Sequence, residues 1–406
     1  MSRMLVDSGI KWIGFLPNTW SITTVNKLFY RRKEVNDSKD PTILSLARDG
    51  VKIRDISTNE GQLAESYDNY HKVYKGDLLI NPMDLISGAN CSLSEVEGVI
   101  SPAYINLAKK TNVYPKYYDY FFKYQYWIKA MFIHGKGVSF NNRWTINWET
   151  MASYKVPYPA YDEQKRIADY LDKKYSKIDE IIKDNNKEIE LLEEYKKNIF
   201  TDVVNKYELK CYKLKYIIAK KLQYGANSSG IEYKDELPRY IRITDISNND
   251  LKNTDKLSLT NKDASGFILN DGDILFARSG GTVGKSFMYQ KKYGKCAFAG
   301  YLIRAQFDDK ELSHYVYNYT NSTLYDEWKK TIFIQSTIQN IGADKYSIMP
   351  IPIPNDKRKI KIINIKIKNI INKVDKVIEY RKQIIEKLEE YKKSLIYECV
   401  TGKREV

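Results

Sequence analysis

The chain has 406 residues, 43% of them hydrophobic, which is enough material for two or three domains with real cores. Its 66 Lys and Arg against 51 Asp and Glu give a formal charge of +15, which favours a polyanionic partner, nucleic acid or an anionic membrane; surface lysines of a Lys-rich proteome are the plain alternative. Four cysteines with no C-x-x-C pair, and three histidines in unrelated contexts (His71, His134, His314), argue against a zinc site or a disulfide framework.

No signal peptide is expected, because the N-terminus lacks a charged segment, apolar core and small-residue cleavage site. The segment Ser8 to Trp20, S-G-I-K-W-I-G-F-L-P-N-T-W, reads as an ordered cap on a domain and not as a helix. Short β-branched runs broken by Gly, Asn and Asp turns follow from about Ile22 to Tyr154. Within them Lys116 to Ile133 has aromatic and apolar residues at helical spacing. Lys123 and Lys129 interrupt that run, so it is not a membrane span, and the chain is placed in a reducing cytoplasm. Gly135 to Asn147 is a Gly/Asn-rich loop carrying Lys136 and Arg143.

Val156-Pro157-Tyr158-Pro159 forces an extended segment. Asp162 and Glu163 then open a helix in whose first turn acids are favoured. Its apolar positions include Ile178, Ile182, Ile189, Leu192 and Ile199, a heptad stripe at three-, four- and seven-residue spacing with Asn185 in the seam. The second half repeats this plan. Gly272-Asp273-Ile274-Leu275 echoes Gly76-Asp77-Leu78-Leu79, and the proline pair returns at Pro350 and Pro352. Ile385 to Val400 matches Ile189 to Val204 at nine of sixteen positions, at a constant offset of 196 residues. The second stripe is Val374, Ile378, Ile385, Leu388 and Leu395, with Arg381 where the first has Asn185. Stripes this narrow suit a helix partner, so an antiparallel coiled coil of the two helices is expected; packing of each helix on its own domain or on another protein is the alternative.

The expected architecture is therefore α+β, two globular domains in pseudo-twofold repeat separated by two long helices. The boundaries are 1–155 and 206–348 for the globular parts, and 156–205 and 349–406 for the spacers. No catalytic constellation stands out. Asn81-Pro82-Met83-Asp84 is an incomplete match to the N-P-P-aromatic motif of amino-methyltransferases and reads as a turn after a strand. Ser279 to Ser286 approaches a P-loop but lacks its first glycine, which leaves a hairpin turn or a phosphate-contacting loop.

The opening cap, and the stretch V-P-Y-P-A-Y-D-E-Q-K-R-I-A-D-Y-L-D-K-K from Val156 to Lys174, resemble specificity subunits of type I restriction–modification enzymes. The repeated organisation does so over the full length. In the second copy Asp356 to Ile360 stands where Glu163 to Ile167 is expected, a departure from the pattern. The resemblance implies two target recognition domains, each reading one half of a bipartite, asymmetric site on double-stranded DNA. It implies a spacer that docks two methyltransferase subunits, with restriction subunits joining. S-adenosylmethionine, ATP and magnesium would belong to those partners, and this chain would hold no cofactor or metal and perform no catalysis. Candidate base-reading residues are Lys136, Asn141, Asn142 and Arg143 in the first domain, and Arg242, Arg278, Lys285 and Gln335 in the second. A self-contained DNA-modifying enzyme and a coiled-coil scaffold without a nucleic-acid role are the competing readings.

Overall fold

A computed structural model describes residues 3–48, 50–56, 64–83, 85, 91–136, 145–247, 250–334 and 340–406. The chain divides into two compact units: Met1–Asp184 with Gln383–Val406, and Asn185–Lys382. Each unit holds a mixed helix and strand head together with parts of both long helices. No helix among the described residues is long and apolar enough to cross a membrane.

The heads share one core topology. In the first unit an antiparallel sheet runs Phe29–Arg31, Ile105–Lys109, Leu78–Ile80, Cys91–Leu93. In the second the order is Gln223–Tyr224, Leu302–Ala305, Ile274–Ala277, Ser286–Met288, again antiparallel. Both central strands, L-L-I and I-L-F-A, are wholly buried, which explains why they read as continuous apolar runs and not as alternating ones. The proline segments are strands of two-stranded ribbons: Lys155–Tyr158 pairs with Ser21–Thr24, and Pro350–Pro354 with Leu209–Lys213. A proline is tolerated at such an edge because its missing N–H takes nothing from a ladder.

The heads differ in what accompanies the shared sheet. The second carries an additional four-stranded sheet in which Arg239–Ile241 pairs in parallel with Cys296–Phe298. The first has two two-stranded pairs instead: the hairpin of Leu44–Ala47 with Gly50–Ile53, and His71–Val73 with Gly98–Ile100, which flank the central strand in sequence. The helix expected over Lys116 to Ile133 is two helices, Pro115–Trp127 and Ala130–Ile133. Lys129 between them takes a left-handed conformation (φ 57°), and that ends the first helix.

Each spacer is a single long helix, Tyr161–Val204 and Lys359–Val400. In the first unit Ile167 and Leu171 of the first helix share a core with Leu395, Ile396, Cys399 and Val400 of the second, around Tyr117, Tyr118, Phe121 and Phe122. The Tyr175 hydroxyl donates to the Lys392 carbonyl (3.0 Å), and Lys392 pairs with Asp179 (2.6 Å). In the second unit Ile199, Phe200, Val203 and Val204 meet Ile360, Ile363 and Ile367 around Tyr315, Tyr319 and Tyr346. There Lys196 pairs with Asp375 (2.8 Å), and the Arg381 guanidinium donates to the Asn185 amide oxygen (3.0 Å). Rising numbers on one helix meet falling numbers on the other, so within each unit the helices are antiparallel. Of the seam positions, Ile178, Ile199, Val374, Ile378 and Leu395 are buried, and Ile182, Ile189, Leu192, Ile385 and Leu388 are half-buried.

The apolar stripe also corrects the alignment of the second helix start. At the 196-residue offset Ile167 and Leu171 correspond to Ile363 and Ile367, so Gln164 corresponds to Ile360 and not to a residue of the Asp356-Lys357-Arg358 run. The chemistry of the place explains the change. Gln164 is fully buried, its Nε2 donating to the Pro159 carbonyl (2.8 Å) and its Oε1 accepting from the Tyr114 N–H (2.9 Å). Glu163 accepts from Trp20 Nε1 (2.9 Å) and pairs with Arg3. The motif residues thus bind the N-terminal cap to the helix start. Ile360, 3% exposed, fills the same position by apolar packing alone. Asp356 and Arg358 form only a local exposed pair (3.0 Å).

Candidate nucleic-acid interface

Both heads anchor the central strand at its start with one turn. Gly76 and Gly272 take φ of 93° and 92°, a conformation in which a side chain is strained. The following aspartates are buried, and each closes the turn on a backbone N–H: Asp77 on Tyr74 (3.0 Å), Asp273 on Asn270 (2.9 Å). Asp77 is held by Arg32 Nε (2.9 Å) and Asn106 Nδ2 (3.1 Å). Asp273 faces Arg304 (3.6 Å). Burial pushes the Asp273 carboxyl above its ordinary value, only partly offset by the Asn270 N–H and Arg304.

The other end of the strand carries the site. The carbonyl of Asn81 accepts from the Tyr126 hydroxyl, and that of Ala277, its counterpart at the 196-residue offset, from the Tyr346 hydroxyl (3.0 Å). One residue on, Pro82 accepts from the Ile146 N–H and Arg278 from the Ile341 N–H, both at 2.9 Å. Ile146 and Ile341 are therefore tethered to the same strand end in the two heads. In the first head Lys136 and Thr145 form a two-way backbone bridge, Lys136 N–H to Thr145 (2.7 Å) and Thr145 N–H to Lys136 (3.0 Å). In the second head Ser279 bridges to Asn340.

Around Arg278 several segments converge. Its N–H donates to the Tyr301 carbonyl (3.1 Å), and its guanidinium lies over the Tyr224 ring at 5.1 Å. The Tyr224 hydroxyl in turn accepts from the Ala343 N–H (3.0 Å). Next to it, Gly225 has the Phe298 carbonyl where a Cβ would stand (2.3 Å), so only glycine lets that backbone approach. Lys285 is exposed in the turn between Ile274–Ala277 and Ser286–Met288, and it lines a small cleft with Thr282, Ile243 and Ile246. The near-P-loop run is thus the turn of a hairpin.

Lys136 is exposed and bridged to Thr145, and Arg278 and Lys285 flank the turn of one hairpin in the second head. Arg242 is engaged inside the head: Nη2 donates to Asp245 (2.8 Å) and to the Asp255 carbonyl (2.7 Å), and the Asp245 hydrogen bond raises its pKa. Asn141, Asn142, Arg143 and Gln335 lie outside the described residues. Tyr224 and Tyr301, exposed by 41% and 66%, belong to the same edge as Arg278 and were not anticipated; lone tyrosines among 34 give no sequence signal.

The sequence profile described as "Type I restriction modification DNA specificity domain" matches residues 88–191 and 201–390. The chain belongs to this family, and it is a sequence-specific DNA recognition subunit of the type I restriction–modification class. Among solved structures it resembles a chain from a study titled "Structural basis underlying complex assembly and conformational transition of the type I R-M system". The identity is 10% and the TM-score 0.71, over 96% of this chain and 99% of that one. It also resembles the HsdS subunit from Thermoanaerobacter tengcongensis, at 12% identity and TM-score 0.54, over 96% of this chain and 98% of that one. At these identities the likeness is one of fold. No curated protein matches the chain in sequence.

Proposed function

We propose that each head reads one half of a bipartite, asymmetric site on double-stranded DNA, and that the chain brings two methyltransferase subunits and, where present, restriction subunits to that site. The reading rests on one observation above all: two heads with the same strand, the same turn and the same backbone tether from Ile146 or Ile341 carry different residues at the strand end, Pro82 in one and Arg278 in the other. A shared scaffold with divergent edges is what reading two unlike sequences requires, since phosphate contacts position a protein while base contacts specify. The positive charge supplies the sequence-independent part of the attraction.

In this reading the globular parts are residues 1–155 and 206–348 and the spacers 156–205 and 349–406. S-adenosylmethionine, ATP and magnesium act in the partner subunits, bond-making and bond-breaking are theirs, and the complex works in the cytoplasm. The test is reconstitution. The purified chain alone should transfer no methyl group to DNA, and adding the methyltransferase subunits should give methylation confined to one split motif. Methylation by the chain alone would restore the self-contained-enzyme reading, and a complex indifferent to DNA sequence would favour a scaffold.

A further inference from the structure

Strand alternation sets one aromatic ring beside Arg278. Tyr224 pairs with Ile303 and Ile303 with Phe276, so these three side chains share a face of the sheet, and Arg278, two residues beyond Phe276, returns to that face. The guanidinium accordingly lies over the Tyr224 ring. Both partners are fixed from elsewhere: the Arg278 backbone by the Tyr301 carbonyl and the Ile341 N–H, the Tyr224 hydroxyl by the Ala343 N–H. Arg32, Arg242 and Arg304 are each bound to an aspartate. Among the described residues Arg278 is bound to none: its Nε is buried without an acceptor, and Asp344, next to Ala343, forms no ion pair with it. The fold by itself does not call for the ring. In the first head the place of Tyr224, one residue after Arg32, is taken by Lys33, and the strand end there is Pro82. The aromatic ring stands where the arginine does.

We propose that Tyr224 is a positioning residue that presents the Arg278 guanidinium to a guanine in the second half-site. A ring beneath the planar cation attracts it and restricts its rotamers without occupying an N–H. The donor fork therefore stays open for a base edge. In the major groove guanine offers O6 and N7 as a matched pair of acceptors for such a fork. Holding the side chain in advance lowers the rotamer entropy lost on binding. The inference rests on the assignment of one half-site to each head, and adds to it a residue pair and a base.

The test uses the chain assembled with its methyltransferase subunits and a duplex carrying its own methylated motif, with each guanine replaced in turn by 7-deazaguanine, which lacks the N7 acceptor. Wild type should lose about fivefold in affinity at one guanine of the second half, the effect of one of the two hydrogen bonds in such a pair. Arg278→Ala should stop responding at that guanine. Tyr224→Leu should bind the motif about threefold more weakly and respond less to the replacement, whereas Tyr224→Phe, which keeps the ring, should retain the response. In the Arg278→Ala background Tyr224→Leu should cost nothing further. An equal cost of Tyr224→Leu with and without Arg278 would overturn the proposal, because the ring would then act on the fold alone. So would the lack of any guanine sensitive to the replacement, or a Tyr224→Leu loss equal on all DNA sequences, which would make Arg278 a phosphate contact. A sensitive guanine in the first half would contradict the half-site assignment, and a wild-type complex with no preference for its motif would contradict the DNA-reading function itself.

Discussion

Arg32 and Arg304 neutralise equivalent buried aspartates from different strands. In the first head the cation follows Phe29–Arg31 and the amide, Asn106, sits on Ile105–Lys109. In the second head the strand equivalent to Ile105–Lys109 carries the cation, Arg304, and the amide, Gln223, is at the position of Arg32, accepting from the Arg304 guanidinium. The pairings Leu78 with Leu107 and Ile274 with Ala305 make Asn106 and Arg304 counterparts. Each head thus sets an arginine and an amide around this turn, with the strands that supply them exchanged.

Arg32→Gln should destabilise the first head by about 3 kcal/mol, because it strips a buried carboxylate of its partner. Adding Asn106→Arg should recover part of that loss by rebuilding the second head's arrangement. Urea denaturation of the three proteins measures both effects.

The raised Asp273 value has a definite sign. A carboxyl whose folded pKa exceeds its unfolded value contributes stability below that unfolded value, near 3.8, and loses it as pH rises through the folded value. The difference in unfolding free energy between wild type and Asp273→Asn should therefore shift against wild type as pH is raised from about 4, and then level off. Denaturation midpoints at a series of pH values give the curve.

Leu395→Ala, a fully buried change at the far end of the second helix, should cost roughly 2–5 kcal/mol. The loss should fall on the first unit, whose core Leu395 enters although it lies some 270 residues from Tyr126. Hydrogen exchange should speed up in Pro115–Trp127 and stay unchanged in Lys310–Thr320. Ile199→Ala should give the reverse pattern, since Ile199 enters the other core.

Thiol reactivity should be confined to one position. Cys211 is exposed, whereas Cys91, Cys296 and Cys399 are buried. Burial pushes the Cys296 thiol up to about 11 and Cys399 up to about 12. A thiol-specific reagent at pH about 8 should modify Cys211 within minutes and the others only on unfolding, because the thiolate is the reactive form. Peptide mapping by mass spectrometry identifies the sites.

At the proposed interface, Arg278→Ala should weaken specific binding by about 1–3 kcal/mol and relax the sequence requirement in the second half-site. Lys285→Ala should weaken binding to all sequences alike and reduce the slope of log affinity against log salt by about one. Binding titrations across salt concentrations separate the two behaviours.

What could be read from the chain alone follows from periodicity. The stripes of Ile178 to Ile199 and Val374 to Leu395, the proline pairs and the Gly-Asp turns repeat at fixed spacing, so both helices and the duplicated plan were legible. What could not be read depends on contacts across the sequence. Arg242 looks like a free cation in its loop, yet a local turn closes it onto Asp245 three residues on, and the Asp255 carbonyl also accepts from it. Gln164 looks like a surface residue in a helix first turn, yet it is buried under the Tyr114 backbone. Aligning the second helix start on the charged run Asp356 to Lys359 puts it one turn off, because the apolar stripe, Ile360, Ile363 and Ile367, is the part under packing constraint.

The division of labour between the heads is tested most directly by exchanging residues 1–155 for the corresponding part of another family member and mapping methylated bases genome-wide by long-read sequencing. The first half of the methylated motif should change while the second half and the gap stay as they were. A motif altered in both halves, or in neither, would contradict the account.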